Sequence, residues 1–161
     1  MKLSRTYHRI DWDGYFKKIT EDVALRANCR TRQTGAILVR DKMIIATGYN
    51  GTPKGIKNCY QGGCPRCNDD KIKSGQDLDK CICVHAEENA LLQSAYNGMS
   101  TQGAMLYTIF CPCIFCAKSI INAGIKEVIY FDNYYSMDGI SAKMFKEVGI
   151  KVRKLASSKR R

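Results

Sequence analysis

The chain has 161 residues, 45% of them hydrophobic, and carries a net charge of +11 from 26 basic and 15 acidic side chains. That length suits one domain able to bury about two-thirds of its extended surface, so no disulfide staples are required. The nine cysteines therefore need another explanation. Met1 to Trp12 lacks the apolar stretch of a signal peptide, and no run approaches the roughly 18 apolar residues of a membrane span. The expectation is a cytoplasmic protein without membrane contact, in a reducing compartment where closely spaced cysteines are metal ligands rather than disulfides. The basic excess calls for an anionic partner, a phosphorylated substrate or a nucleic acid. Part of it is a terminal run, Lys151, Arg153, Lys154, Lys159, Arg160 and Arg161, which reads as a solvated tail.

From Asp11 to Cys29, Tyr15, Phe16, Ile19, Val23 and Leu25/Arg26 recur at three to four, predicting a first helix capped by Asp11 or Asp13, with Trp12 as a packing anchor. Gly35–Arg40 and Met43–Gly48 are β-rich runs on either side of Asp41-Lys42, a hairpin pattern. Tyr49-Asn50-Gly51-Thr52-Pro53 ends the pairing with turn residues, and the stretch after it, to Val84, has no sustained periodicity but contains five cysteines. A connection that long in a compact domain must be fixed by something other than packing, and a metal would do so. Ala104–Phe110 and Lys126–Phe131 read as strands, Met137–Val148 as a last helix and Ile150–Arg153 as a last strand. With helices after His85 and Pro112, this order predicts an α/β domain with a five-stranded mixed sheet covered by helices and ligands outside the carboxyl ends of the strands. The domain core would run over about 11–153, followed by a basic tail, 154–161.

The chemistry-bearing pattern is His85-Ala86-Glu87 with Pro112-Cys113-Ile114-Phe115-Cys116. One imidazole and two thiolates make three ligands, leaving the fourth position of a tetrahedral zinc open to water or substrate, which is a catalytic count. Glu87, two residues after the histidine, can reach that position as a proton shuttle without ligating the metal. Glu88 cannot replace it, because one residue along a helix turns the side chain by about 100°. Both clusters precede apolar runs of helical period, Ala90, Leu91, Leu92 and Ala95 in one case and Ala117, Ile120, Ile121 and Ala123 in the other. The ligands thus fall at helix N-termini, whose free amides stabilise thiolates, and Pro112 suits a first helical position. A structural C-x-x-C zinc site beside a satisfied core histidine is the plainer alternative. The joint occurrence of His, Glu, Pro and both cysteines, the signature pair of zinc nucleobase deaminases, outweighs it.

At these residues the chain resembles the cytidine deaminase superfamily, and within it the deoxycytidylate (dCMP) deaminases. The resemblance lies in Thr34-Gly35-Ala36, Gly48-Tyr49-Asn50-Gly51 with Pro53, His85-Ala86-Glu87 with Asn89-Ala90, and Pro112-Cys113 through Cys116-Ala117-Lys118 with Gly124-Ile125-Lys126, and spans about Trp12 to Val152. It implies a three-layer α/β/α cytidine-deaminase-like fold and zinc-dependent hydrolysis of dCMP to dUMP and ammonia, supplying dUMP for thymidylate synthesis. It further implies a homo-oligomer, commonly a hexamer, activated by dCTP with Mg2+ and inhibited by dTTP. On the same basis His85, Cys113 and Cys116 hold zinc, Glu87 moves protons, Asn50 and the backbone of Ala86 contact the nucleotide, and Arg26 and Tyr134 contact phosphate or sugar. Glu88 stands where family members often have an apolar residue, and the tail after Val152 has no counterpart.

Three alternatives stand beside this reading: a dCTP or dual dCMP/dCTP deaminase, a nucleic-acid cytosine or adenosine deaminase, and a non-catalytic zinc-binding module. The basic tail lacks the interleaved aromatics of a single-strand binder, and a structural site has no use for Glu87. Cys64-Pro65-Arg66-Cys67 and Cys81-Ile82-Cys83 have the paired spacing of a second, closed zinc site. The resemblance adds Cys29 and Cys59, since some bacterial and viral relatives place a structural zinc at similar positions. Four of these six cysteines suffice for one ion, and Cys111 is set aside as a strand residue.

Overall fold

The computed structural model describes residues 9–73, 75–132 and 139–155. The elements run α1 (Trp12–Ala24), β1 (Gly35–Arg40), β2 (Met43–Tyr49), α2 (Ala86–Tyr96), β3 (Met105–Phe110), α3 (Ile114–Asn122), β4 (Glu127–Asp132), α4 (Ile140–Glu147) and β5 (Lys151–Lys154). The five strands form one mixed sheet in the order β2-β1-β3-β4-β5. β1 is antiparallel to β2 and β3, whereas β3, β4 and β5 are parallel. The β1–β2 turn is made by Asp41 and Lys42, both at positive φ (51° and 62°), the conformation that matches strand twist in a two-residue hairpin.

Helices cover both faces, as expected. On one, Phe16 and Ala24 of α1 pack with Ile37, Val39, Tyr107, Ile109, Ile129 and Phe131. On the other, Ala86, Ala90 and Leu91 of α2, Ala117 and Ile120 of α3 and Phe145 of α4 pack with Ala36, Leu38, Leu106 and Val128. Alternate strand residues thus feed opposite cores, as the pleat requires. Two glycines set the spacing. A Cβ on Gly35 would overlap the Thr20 carbonyl and Ala24 amide of α1, and one on Gly48 would overlap the Ala86 carbonyl and Ala90 amide of α2. Each helix backbone therefore rests directly on a strand.

That close approach corrects part of the expected face of α1. Phe16 is buried and Ile19 and Val23 pack against the same core, as expected, but Tyr15, Leu25 and Arg26 are exposed, and Lys17, Thr20 and Ala24 are buried with Phe16. Thr20 and Ala24 are small because their backbone rests on Gly35 and nothing larger fits there, and the Thr20 hydroxyl is satisfied by donating to Phe16 O (2.8 Å). Asp11 is the cap, accepting from Gly14 N (2.7 Å). Trp12 begins α1 and stacks on Phe16. The last helix begins at Ile140; the residues expected to open it, from Met137, lie outside the described residues, as do Lys159, Arg160 and Arg161 of the tail.

Asp13, not used as a cap, joins the two ends of the fold. Arg153 of β5 grips both its carboxylate oxygens (2.9 and 3.2 Å) and also donates to Glu127, while the Tyr107 hydroxyl donates to Asp13 (2.8 Å). The Arg153 hydrogen bond is the main reason the Asp13 pKa lies below its ordinary 3.8. A carboxylate with a depressed folded-state pKa stabilises the fold fully above its unfolded-state pKa, and that stabilisation is lost as pH falls through the lower folded-state value. We therefore expect Asp13→Asn to be less stable than the parent chain from neutral pH down to about pH 4, with the difference shrinking below that. Urea midpoints measured between pH 2 and 7 check it; a gap independent of pH would contradict the linkage.

Candidate active site

Because β3 and β4 run parallel and β1 runs against them, one end of the sheet collects the end of β2 (Tyr49), the start of β1 (Gly35) and the ends of β3 and β4. His85 is the N-cap of α2 and Cys113 the N-cap of α3, with Cys116 in the first turn. Pro112 precedes the cap rather than occupying the first helical position, since Cys113 (φ −70°, ψ 170°) is still extended. His85 Nδ1 lies 3.4 Å from both Cys113 Sγ and Cys116 Sγ. With Zn–S of about 2.3 Å and Zn–N of about 2.0 to 2.1 Å, tetrahedral ligands sit roughly 3.6 Å apart. The three donors, an imidazole nitrogen and two sulfurs, thus fit zinc in both separation and type.

Glu87 is buried beside Cys116, the buried member of the triad. The Thr108 hydroxyl donates to its Oε1 (2.9 Å) and Cys116 Sγ lies 3.7 Å from Oε2. Burial raises the carboxyl pKa above the ordinary range, against the opposing pull of the His85 charge and the Thr108 hydrogen bond. A hydrogen bond from Cys116 holds the Cys113 thiol down to about 4, and that thiolate raises His85 to about 9; Cys116, as donor and buried, is pushed up. Glu88 is exposed on another face of α2, beside Leu91, Leu92 and Met99.

Thr108 was not evident in the sequence, although a hydroxyl at a fully buried position of an otherwise apolar strand (Met105-Leu106-Tyr107-Thr108-Ile109-Phe110) is a signal that a polar partner exists. Asn89, already part of the motif that follows His85, gains its role from a contact: its Nδ2 donates to Tyr49 O (2.7 Å), tying the first turn of α2 to the end of β2.

The expected nucleotide contacts come from separate parts of the chain. Ala86 is fully buried at the first position of α2. Asn50 is buried, and its side chain ties down the segment before β1, Oδ1 accepting from Thr34 N (2.8 Å) and Nδ2 donating to Arg32 O (2.9 Å). The segment it tethers lines a hollow of about 490 Å³ with Ala27, Cys29, Arg30, Thr31, Arg32, Gln33 and Tyr60. Arg32 packs over Phe110 (5.1 Å to the ring centroid), at the end of the strand that leads to Cys113. Arg26 is exposed just beyond the C-cap of α1 and is not among the lining residues. Tyr134 lies outside the described residues.

All six remaining cysteine candidates converge. Cys59, Cys64, Cys67 and Cys83 form a buried cluster with Cys29 and Cys81 against it. The connection that carries five of them has three short 3-10 turns and is closed by a bridge between Gly51 and Val84. Cys111 is buried just past the end of β3 and belongs to neither group of donors.

A three-layer α/β/α fold with one imidazole and two cysteines at two helix N-termini, and a buried glutamate beside them, is the arrangement of the zinc nucleobase deaminases. Comparison with known proteins agrees. Residues 10–132 match the family model described as the cytidine and deoxycytidylate deaminase zinc-binding region. Deoxycytidylate deaminase of Schizosaccharomyces pombe is 45% identical over 151 residues, 94% of this chain and 46% of that protein. The deoxycytidylate deaminase of Mycobacterium phage D29 is 37% identical over 126 residues, 76% of this chain and 95% of that protein. The crystal structure of dCMP deaminase from cyanophage S-TIM5 with dCMP and dUMP superposes with a TM-score of 0.76 at 29% identity, covering 92% of this chain and 100% of that one. The chain belongs to the cytidine and deoxycytidylate deaminase family, and its zinc-binding region carries the His and Cys donors described above. It spans about half the length of the fungal relatives it matches. No helix among the described residues is long and apolar enough to cross a membrane.

The two hydrogen bonds of Asn50 give it a structural weight separate from any ligand contact. Asn50→Ala would strand a buried amide and a carbonyl, at a cost of about 1 to 3 kcal/mol. Chemical denaturation without nucleotide is the check, and unchanged stability would show that the side chain serves ligands alone.

Proposed function

We propose that residues 1–161 act as a single deaminase domain that hydrolyses dCMP to dUMP and ammonia. The observation that carries this reading is the buried Glu87 carboxylate, held by Thr108 on one oxygen and turned toward the Cys116 side of the triad with the other. His85 Nδ1, Cys113 Sγ and Cys116 Sγ would hold zinc, which supplies Lewis-acid activation of the hydrolytic water.

The chain's own part of the reaction is proton handling. With Oε1 fixed by the Thr108 hydroxyl, Oε2 is the oxygen free to take the proton of the attacking water. Glu87 then delivers it to N3 of the cytosine ring, and a second transfer carries the proton of the hydroxyl added at C4 through Glu87 to the amino group, which leaves as ammonia while the C4 carbonyl forms. The raised pKa suits this, because a carboxyl poised nearer neutrality both accepts and returns a proton. Asn50 and the Ala86 backbone are the proposed nucleotide contacts, with Arg26 and Tyr134 as phosphate or sugar contacts. Use of dCMP as substrate, in preference to dCTP, is supported by the relatives' names and by the complex of the phage enzyme with dCMP and dUMP. A second, structural zinc held by four of the clustered cysteines, assembly into a homo-oligomer such as a hexamer, control by dCTP with Mg2+ and by dTTP, and a place in thymidylate supply complete the proposal.

The zinc-loaded protein should release ammonia from dCMP, with dCTP, deoxycytidine and cytosine as comparison substrates; no turnover of any of them would overturn the reading. Glu87→Gln should keep zinc content and folding but abolish turnover. Thr108→Val should lower kcat about tenfold, the loss of roughly one hydrogen bond, or about 1.4 kcal/mol. It should also move the acidic limb of the pH profile upward, because the lost hydrogen bond was lowering the Glu87 pKa. An unshifted limb would remove Thr108 from the proton path. Arg26→Ala should raise the KM for dCMP by the equivalent of about 1.5 to 3 kcal/mol, and an unaltered KM would release Arg26 from phosphate binding.

A further inference from the structure

The cysteine-rich connection has more sulfur than one zinc can use. With Cys29, which comes from before β1, its cysteines fall into two sets of four, Cys29, Cys59, Cys67 and Cys83 in one and Cys64, Cys67, Cys81 and Cys83 in the other, and within each set every sulfur lies within 4.8 Å of the others. The sets share Cys67 and Cys83. Tetrahedral zinc with Zn–S of about 2.3 Å separates its sulfurs by about 3.8 Å. The observed spacings are 4.0 Å for Cys29 to Cys67, 3.9 Å for Cys64 to Cys81 and 3.7 Å for Cys67 to Cys81.

A single ion in either set would leave two cysteines idle, pressed against ligated sulfurs. Cys64 and Cys81 would be idle in one case, although Cys64 is fully buried; Cys29 and Cys59 would be idle in the other, although Cys59 is fully buried. The buried residues of this cluster are all cysteines, so no aliphatic packing explains their convergence. We propose that all six cysteines hold a binuclear zinc cluster in which Cys67 and Cys83 bridge the two ions. The proposal deepens the structural-zinc reading above and rests on it. Eight coordination positions are then filled, four sulfurs binding once and two binding twice.

The surroundings suit such a cluster. Two Zn2+ ions with six thiolates carry a net charge of −2, and donors face the sulfurs: the Arg30 amide bonds Cys59 Sγ (3.3 Å), and the Thr31 hydroxyl sits 3.3 Å from Cys29 Sγ and donates to Cys67 Sγ (3.9 Å). Asn68 Nδ2 donates to the carbonyls of Cys59 and Cys64 (2.8 Å each), locking together turns that belong to different sets. Between Cys64 and Cys67, Arg66 is buried and its guanidinium donates to the carbonyls of Lys73 and Gln76, which fixes the loop that leads from Cys67 to Cys81.

The test counts and connects metals in the intact chain. Freshly reduced protein, dialysed against metal-free buffer, should retain three zinc ions per chain by elemental analysis and native mass spectrometry. After 113Cd substitution, the β-protons of Cys67 and Cys83 should each correlate with two cadmium resonances, and those of Cys29, Cys59, Cys64 and Cys81 with one. Cys29→Ser and Cys64→Ser should each lower the zinc content by one ion, whereas in a single-ion site one of the two would leave it unchanged. Two zincs per chain, with no cysteine joined to two cadmium resonances, would overturn the bridged cluster and leave the single structural zinc standing. One zinc per chain would overturn both.

Discussion

The site depends on how closely α2 can lie on β2. Glycine at position 48 lets the helix backbone at Ala86 and Ala90 rest directly on the strand, where any side chain would overlap it. That contact brings the N-terminus of α2, with His85 as its cap, to the sheet end where Cys113 caps α3. The donors that must meet within about 3.6 Å to share one zinc come from segments 28 residues apart in sequence, and only rigid seating of both helices keeps them at 3.4 Å. Asn89 to Tyr49 O is a second fastening at the same turn.

From that seating follows the state of Glu87. One residue into α2 beyond Ala86, its side chain is drawn under the triad and away from water, and burial is the first cause of its raised pKa. Left alone, such a carboxyl would be costly. The Thr108 hydroxyl offsets part of the cost and also fixes which oxygen is available for proton transfer. Packing, electrostatics and the proposed chemistry are therefore one arrangement: the contact that positions the helix also desolvates its catalytic candidate.

The cysteine-rich connection solves a different problem. The connection between β2 and α2 is too long and too poor in aliphatic residues to order itself by burial, and its interior is sulfur. Its ends are pinned by the Gly51–Val84 bridge, one residue from His85. Order in this segment is thus passed to the ligand histidine through a single backbone pairing. The segment tethered by Asn50, which also carries Cys29-adjacent residues Arg30 to Arg32, lies between the sulfur cluster and the end of β3.

Much of this was legible in the sequence. His85, Glu87, Cys113 and Cys116 were marked by residue type and spacing, because metal coordination and proton transfer admit few side chains. The hairpin at Asp41-Lys42 and the strand runs were marked by local backbone preference and side-chain alternation, so the five-stranded sheet could be read from them. What tertiary structure alone decided were matters of relative placement. Part of the inward face of α1 turned on its backbone resting on Gly35, where nothing larger than Thr20 and Ala24 fits, while Tyr15 and Leu25, which periodicity put inward, are exposed. Thr108 was found only through its partner, since a threonine in a strand is ordinary until the facing group is known. The cysteines of the irregular connection announced a metal by their spacing. Which sulfurs could share an ion depended on how the loop folds back on itself, and pair spacing cannot encode a meeting between Cys29 and Cys67 across 38 residues.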